Sequence, residues 1–152
     1  MSIYQFKAHF QAILRPLTFR LYDRGVTANQ VTVFACALSV LLGLGLYSLG
    51  RPSTWFILIP IWMFLRMALN AIDGMLAREF GQKSDLGAYL NEITDVVSDA
   101  ALYLPFVWVA PISALQIGLI IWLSALSELS GILGHAMNHT RHYDGPMGKS
   151  DR

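Results

Sequence analysis

Long apolar stretches alternate along the chain with short polar breaks. The uncharged run from residue 31 to 49, V-T-V-F-A-C-A-L-S-V-L-L-G-L-G-L-Y-S-L, is close to the ~20 residues that a helix needs to cross a bilayer. Thr27, just before it, is a candidate N-cap. Three more apolar stretches follow. We predict an all-α, polytopic membrane bundle with four transmembrane helices, at about 26–50, 54–80, 84–109 and 112–139.

Residues 1–24 differ from these spans because charged side chains lie among their apolar positions. Apolar residues recur there at helical spacing (Ile3, Phe6, Phe10, Ile13, Leu14 and Leu17), with basic residues between them (Lys7, Arg15 and Arg20). This pattern is typical of a basic amphipathic helix lying in the membrane interface. An ordinary cytosolic helix packed on the bundle would show the same pattern. We predict the interfacial helix and keep the cytosolic one as the alternative.

Composition agrees with a single membrane domain over 1–152. The 152 residues are 55% hydrophobic and 14% charged, against roughly 25% charged residues in soluble domains. The net charge of +1 provides no field that would attract nucleic acid, so membrane lipids are expected as surroundings and no nucleic acid as a partner. The single cysteine, Cys36, cannot form an internal disulfide, and we interpret it as a small apolar side chain.

The basic residues between the predicted spans indicate an orientation. Four lie before the first span and none lies between the third and the fourth. The others are Arg51 after the first span, Arg78 and Lys83 after the second, and Arg141, Lys149 and Arg152 after the fourth. Because cytosolic loops carry the excess of Lys and Arg, both termini, the 78–85 loop and the tail 140–152 are predicted to be cytosolic. This is an integral membrane protein, in the inner (cytoplasmic) membrane if bacterial.

Polar residues form two stripes inside the second and third spans. The spacings i, i+3, i+4, i+7 on one helix and i, i+4, i+8, i+12 on the next each place their members on one face. The stripes are Asn70, Asp73, Gly74 and Ala77, and Gly87, Asn91, Asp95 and Asp99. Acidic groups within membrane spans indicate a functional site. Two antiparallel helices facing each other would bring together oxygen atoms of Asn70, Asp73, Asn91 and Asp95, a donor set that suits Mg²⁺ or Mn²⁺.

Small residues share these stripes with the acids. Gly74, Ala77 and Gly87 remove side chains where a bulky ligand would approach the backbone. Small residues also let membrane helices pack closely, which is the simpler explanation for any one of them. Because all three are in phase with the carboxylates, we favour a ligand cavity.

The order of these residues closely resembles the signature of the CDP-alcohol phosphatidyltransferase family, DxxDGxxARx8GxxxDxxxD. Here it reads Asn70-x2-Asp73-Gly74-x2-Ala77-Arg78-x8-Gly87-x3-Asn91-x3-Asp95, with matching spacing throughout. The segments T-A-N-Q-V-T at 27–32 and G-P-M-G-K-S-D-R at 145–152 also resemble family sequence.

The resemblance implies a membrane enzyme of phospholipid biosynthesis that transfers a substituted phosphate from a CDP-linked donor, such as CDP-diacylglycerol, to an alcohol acceptor and releases CMP. It implies a Mg²⁺ or Mn²⁺ cofactor and a homodimer. The orientation predicted from the basic residues places the site toward the cytosol. By motif position, Asn70, Asp73, Asn91 and Asp95 would bind metal and Asp95 would act as the general base. Gly74, Ala77, Arg78 and Gly87 would receive the nucleotide.

Two departures from the family pattern leave a second hypothesis open. Asn70 and Asn91 stand where the signature has acids, so two negative charges are missing. We expect one tightly held metal at most, or a second held mainly by substrate phosphates. Glu92 and Asp99 lie near enough on the third span to replace that charge. The family usually has six membrane helices, so further C-terminal helices would be lacking. The alternative is a catalytically weak or inactive member that binds nucleotide or lipid headgroup without turnover.

Arg66 and Glu128 lie within predicted spans and need partners there. Arg66 is expected to pair with Asp99 or with Glu128, as a structural ion pair rather than as a substrate ligand. Glu128 either lines the same cavity or joins helices. A transport module would also explain buried acids, but it does not explain the Gly-Ala-Arg spacing.

Overall fold

The fold is a helical bundle in which α3 and α4 form an antiparallel hairpin. The computed structural model describes residues 3–138, with side chains from 9 to 134. Its α-helices are α1 (Ile3–Asp23), α2 (Ala28–Tyr47), α3 (Leu58–Glu79), α4 (Asp85–Tyr103) and α5 (Ala114–Asn138). Short 3-10 turns at Thr54–Ile57 and Leu104–Trp108 precede α3 and follow α4. No strand occurs in this part of the chain, which confirms the all-α class. The predicted tail at 140–152 and the segment 145–152 lie outside the described residues.

Local sequence signals set the helix boundaries near the site. The Thr27 hydroxyl accepts a hydrogen bond from the Gln30 backbone N–H, and the Gln30 side chain accepts one from the Thr27 N–H at 2.9 Å. This reciprocal capping box starts α2 and confirms the predicted cap. Gly81 follows α3 with a positive φ of 68°, which glycine adopts without steric cost. Ser84 then caps α4 by accepting from the Gly87 N–H at 3.0 Å, so a tight turn joins the two helices.

Three helical segments in the described chain are long and apolar enough to cross a membrane. They are Ala28–Tyr47, Thr54–Glu79 and Ala114–Gly134, with mean hydropathies of 1.9, 1.7 and 1.7. The helix α4 is not among them, because it carries Asp85, Glu92, Asp95 and Asp99. Its 19 residues give a length of about 28 Å, close to the ~30 Å thickness of a bilayer core. Its role as a fourth span stays a prediction.

The helix α2 packs against both α3 and α4, most extensively against α4, and α5 packs on the other side of α4. An apolar core of Ala28, Val31, Ile72, Met75 and Leu76 joins α2 to the C-terminal half of α3. The polar residues of the predicted site therefore lie on helices that other helices support directly.

The N-terminal helix α1 packs against α3 and also exposes apolar side chains. Arg15 pairs with Glu79 at 3.0 Å, and the ring of Phe19 contacts that of Phe80 edge-on. Ile13 and Leu17 remain exposed. The helix predicted for residues 1–24 is present, and the exposed apolar positions suit a membrane interface. Its placement in that interface stays a prediction.

The helices α2 and α4 approach each other closely at Gly43. A Cβ atom at this position would lie 2.1 Å from the carbonyl oxygen of Ala101, whereas a Cβ at Gly45, two residues along, would meet nothing within 4 Å. We expect Gly43→Ala to destabilise the protein by about 1–3 kcal/mol, because the two backbones must move apart.

Thermal unfolding of the detergent-solubilised protein measures this effect. Gly45→Ala is the matched control, and it should leave the midpoint unchanged or raise it, since alanine favours helix. Equal midpoints for Gly43→Ala and the wild type would contradict the close approach.

Candidate functional site

Two buried acids belong to the polar stripes of α3 and α4, and a third, Glu92, borders the stripe of α4. Asp73, Glu92 and Asp95 are 6%, 6% and 8% exposed. Asn70, Asn91 and Asp99 are half-buried. Ionised groups removed from water in this way require compensating partners. The contacts of these side chains therefore define what the site can do.

The carboxylate of Asp73 is held by α2. The hydroxyl of Thr32 lies 2.7 Å from Asp73 Oδ2, to which it donates, and 3.1 Å from the Ala28 carbonyl oxygen one turn earlier. Both Thr32 and Asp73 are buried. This contact orients the second acidic position of the motif from a neighbouring helix. Sequence analysis placed Thr32 in a family-like segment but gave it no role.

The carboxylate of Asp95 is held by α3. Arg66 donates through Nη2 to Asp95 Oδ1 at 2.8 Å and to the Asp95 carbonyl oxygen at 3.3 Å. Asn70 donates through Nδ2 to the same Oδ1 at 3.4 Å. The first and fourth motif positions thus come together, which confirms that the two stripes face each other there.

Arg66 also donates through Nη1 to Asp99 Oδ1, so one guanidinium bridges two acids one turn apart on α4. Its predicted pairing with Asp99 is confirmed. Its pairing with Asp95 was not predicted, because the spacing of residues along α3 does not show how far α4 is displaced along the axis of α3. A signal existed in the sequence: Arg66 lies four residues before Asn70 and therefore shares its stripe.

The small residues of the motif are covered by polar side chains rather than by helix backbone. A Cβ at Gly74 would lie 2.8 Å from Arg78 Nη2, and one at Gly87 would lie 2.8 Å from Asn29 Oδ1. Ala77 is half-buried and Arg78 is exposed. Because side-chain ends can move away where a packed backbone cannot, Gly74 and Gly87 suit the cavity interpretation better than close helix packing. Asn29 is a further residue at this end that sequence analysis did not single out.

How many cations the four predicted ligands hold stays a prediction. No three His, Cys, Asp or Glu side chains within the described chain are grouped so that they could hold a metal. The four predicted ligands comprise two carboxylates and two amides, all oxygen donors of the kind Mg²⁺ and Mn²⁺ take. The Asn91 side chain makes no hydrogen bond to another described residue. Asp73 is contacted from α2 and Asp95 from α3, and convergence of all four ligands on one ion stays a prediction.

Two further buried acids lie on neighbouring helices. Glu92 on α4 and Glu128 on α5 are 6% and 7% exposed, and these helices pack together. The ion pairs of Arg66 are with Asp95 and Asp99 on α4. Whether Glu92 replaces the charge missing at Asn91 stays a prediction. Glu128 is buried in the bundle, as either of its two interpretations requires.

Comparisons with known proteins identify the family. The chain is 51% identical to the inner membrane protein YnbA of Escherichia coli strain K12 over 152 residues, which is 100% of this chain and 75% of that protein. It is 32% identical over 99 residues to a phosphatidylinositol phosphate synthase of Mycobacteroides abscessus, and 31% over 97 residues to one of Streptomyces avermitilis.

These matches cover 65% and 64% of this chain but 43% and 38% of the two synthases, so the chain spans less than half of their length. No solved structure gives a significant match. The family model for CDP-alcohol phosphatidyltransferases matches residues 25–150, which include every motif position of the α3–α4 hairpin. The chain therefore belongs to the CDP-alcohol phosphatidyltransferase family.

Proposed function

We propose that this chain transfers a substituted phosphate from a CDP-linked lipid donor, such as CDP-diacylglycerol, to an alcohol acceptor and releases CMP, as a step of phospholipid biosynthesis. The observation that carries the proposal is the pair of buried acids at the second and fourth motif positions. Asp73 is held by Thr32 and Asp95 by Arg66 and Asn70. The relatives named phosphatidylinositol phosphate synthases support a phosphorylated polyol among the acceptors to be tested.

In the proposed reaction Asp95 accepts the proton of the acceptor hydroxyl. The hydroxyl oxygen then forms a bond to the phosphorus that carries the lipid. The bond from that phosphorus to the bridging oxygen breaks, and CMP leaves with its electron pair. A carboxylate that is 8% exposed and fixed by two donors is suited to this role, because a general base must stay within hydrogen-bond reach of its proton.

A divalent cation is part of the proposal, with Asn70, Asp73, Asn91 and Asp95 as its ligands. Bound there, Mg²⁺ or Mn²⁺ would act as a Lewis acid that neutralises the diphosphate. Arg78 is exposed near the α3–α4 turn, where its guanidinium can bind phosphate oxygens. Gly74, Ala77 and Gly87 leave room there for the nucleotide.

Three apolar segments and the similarity to an inner membrane protein identify an integral membrane protein. We propose that the site faces the cytosol, because Arg78 and Lys83 flank the α3–α4 turn and basic loops stay cytosolic. A homodimer is proposed from the family resemblance.

The second candidate function is binding of nucleotide or headgroup without turnover. It is favoured by Asn70 and Asn91 at acidic motif positions and by the ion pair that Asp95 already makes with Arg66. The Asp95 oxygen that accepts from Arg66 is less available to accept a hydrogen bond from an acceptor hydroxyl.

A CMP-release assay separates the two functions. The purified protein would be incubated with CDP-diacylglycerol, Mn²⁺ and a panel of polyols, phosphorylated polyols and amino alcohols. We expect acceptor-dependent CMP release that chelation of Mn²⁺ abolishes. Nucleotide binding without CMP release for every acceptor would reject the transferase and support the binding protein.

A further inference from the structure

The position of Arg66 extends the polar stripe of α3 toward its N-terminus. Arg66, Asn70 and Asp73 follow each other at i, i+4 and i+7, so they lie on one face. The Arg66 side chain is 11% exposed, and it lies inside a segment apolar enough to cross a membrane. A cation in such a segment is costly unless it is paired, and residues of this kind mark functional sites.

The partners of Arg66 are the acids of the facing stripe. Its Nη2 reaches Asp95 Oδ1 at 2.8 Å and its Nη1 reaches Asp99 Oδ1. The planar guanidinium fork bridges two carboxylates in a fixed orientation, which the single ammonium of lysine does less well. Asp95 is the proposed general base, so Arg66 is a positioning residue for that carboxylate.

The charges of the site suggest a second role. The family signature has four acids, whereas this chain has Asp73 and Asp95 at those positions and amides at Asn70 and Asn91. Two bound dications would be poorly neutralised here. Arg66 already supplies a positive charge beside Asp95, where a second dication would be repelled by it.

We propose that Arg66 is the fixed cation of this site and takes the place of a second divalent ion, so that the chain binds a single ion at its four proposed ligands. This inference rests on the metal site of the proposed function. It predicts how many ions bind, which can be measured without substrate and without turnover.

The test is a titration of the detergent-solubilised protein with Mn²⁺ alone, in which electron paramagnetic resonance measures the free ion. We expect one ion per wild-type chain, and its loss in Asp73→Asn. Arg66→Gln should bind a second ion, because the charge that repels it is gone. Arg66→Lys keeps the charge and should still bind one ion.

Arg15→Gln is the matched control, because Arg15 makes an exposed ion pair with Glu79 away from the site. It should bind Mn²⁺ as the wild type does. Two ions in the wild type, or unchanged binding in folded Arg66→Gln, would overturn the inference while CMP release could still support the transferase. No Mn²⁺ binding at all would overturn both the inference and the proposed metal site. If Arg66→Gln does not fold, wild-type stoichiometry and Arg66→Lys decide.

Discussion

Asp95→Asn is expected to abolish CMP release while nucleotide binding is largely preserved. The substitution keeps the shape of the side chain and removes the carboxylate that would accept the acceptor proton. Positioned general bases contribute roughly 10²–10⁴-fold to rate, so the rate of CMP release should fall by at least two orders of magnitude relative to the wild type. Arg66 would keep its contact with Asp99, which limits the structural damage. CMP release and binding of CDP, measured on the same preparation, test both parts of this expectation.

Asp85→Asn is the matched control for this prediction. Asp85 lies on the same helix, in the first turn of α4, but it is exposed. Its loss should leave turnover close to that of the wild type. If Asp95→Asn reduced nucleotide binding as much as turnover, Asp95 would be mainly a ligand. Full activity in Asp95→Asn would show that another group takes the proton.

The helices near the site were largely predictable because their signals are local. The Thr27 cap, the turn before Ser84 and the phase of Asn70 with Asp73 depend on residues within a few positions of each other. The family resemblance depended on the same kind of information, a fixed spacing along two consecutive helices. The spacing of residues along the chain was therefore enough to predict both the helices and the motif.

Contacts between helices distant in sequence could not be predicted in the same way. The Thr32–Asp73 hydrogen bond and the Gly43–Ala101 approach depend on how α2 is rotated and shifted against α3 and α4. Periodicity gives the face of each helix but not this shift. For the same reason Arg66 was matched to Asp99 but not to Asp95, one turn away on the same face.

Hydropathy alone does not decide whether α4 crosses the membrane. Its acids lower its apolar character below that of α2, α3 and α5, although α2 and α5 both pack against it. A helix that carries the candidate site can be polar on one face because neighbouring helices cover that face. The acids that lower the hydropathy of α4 include Asp95, to which the proposed function assigns proton transfer.

Asp73→Asn is expected to reduce CMP release to background and to weaken Mn²⁺ binding by about tenfold or more. Asp73 is one of the two carboxylates among the four proposed ligands, so its charge is a large part of the attraction for a dication. Titration with Mn²⁺ and the CMP assay measure the two effects. Wild-type Mn²⁺ binding in Asp73→Asn would remove Asp73 from the site.

The Thr32 hydroxyl offers a second and milder test of the same carboxylate. Hydrogen bonds to charged groups contribute about 1.5–3 kcal/mol, so Thr32→Val should weaken Mn²⁺ binding and slow turnover by roughly 10- to 150-fold. Thr18→Val is the matched control, because Thr18 is also fully buried and bonds to a carbonyl oxygen one turn earlier, that of Leu14, at 3.1 Å. If both variants reduced activity equally, the effect of Thr32 would be one of packing. A larger loss in Thr32→Val would show that α2 holds Asp73 in the orientation that metal binding requires.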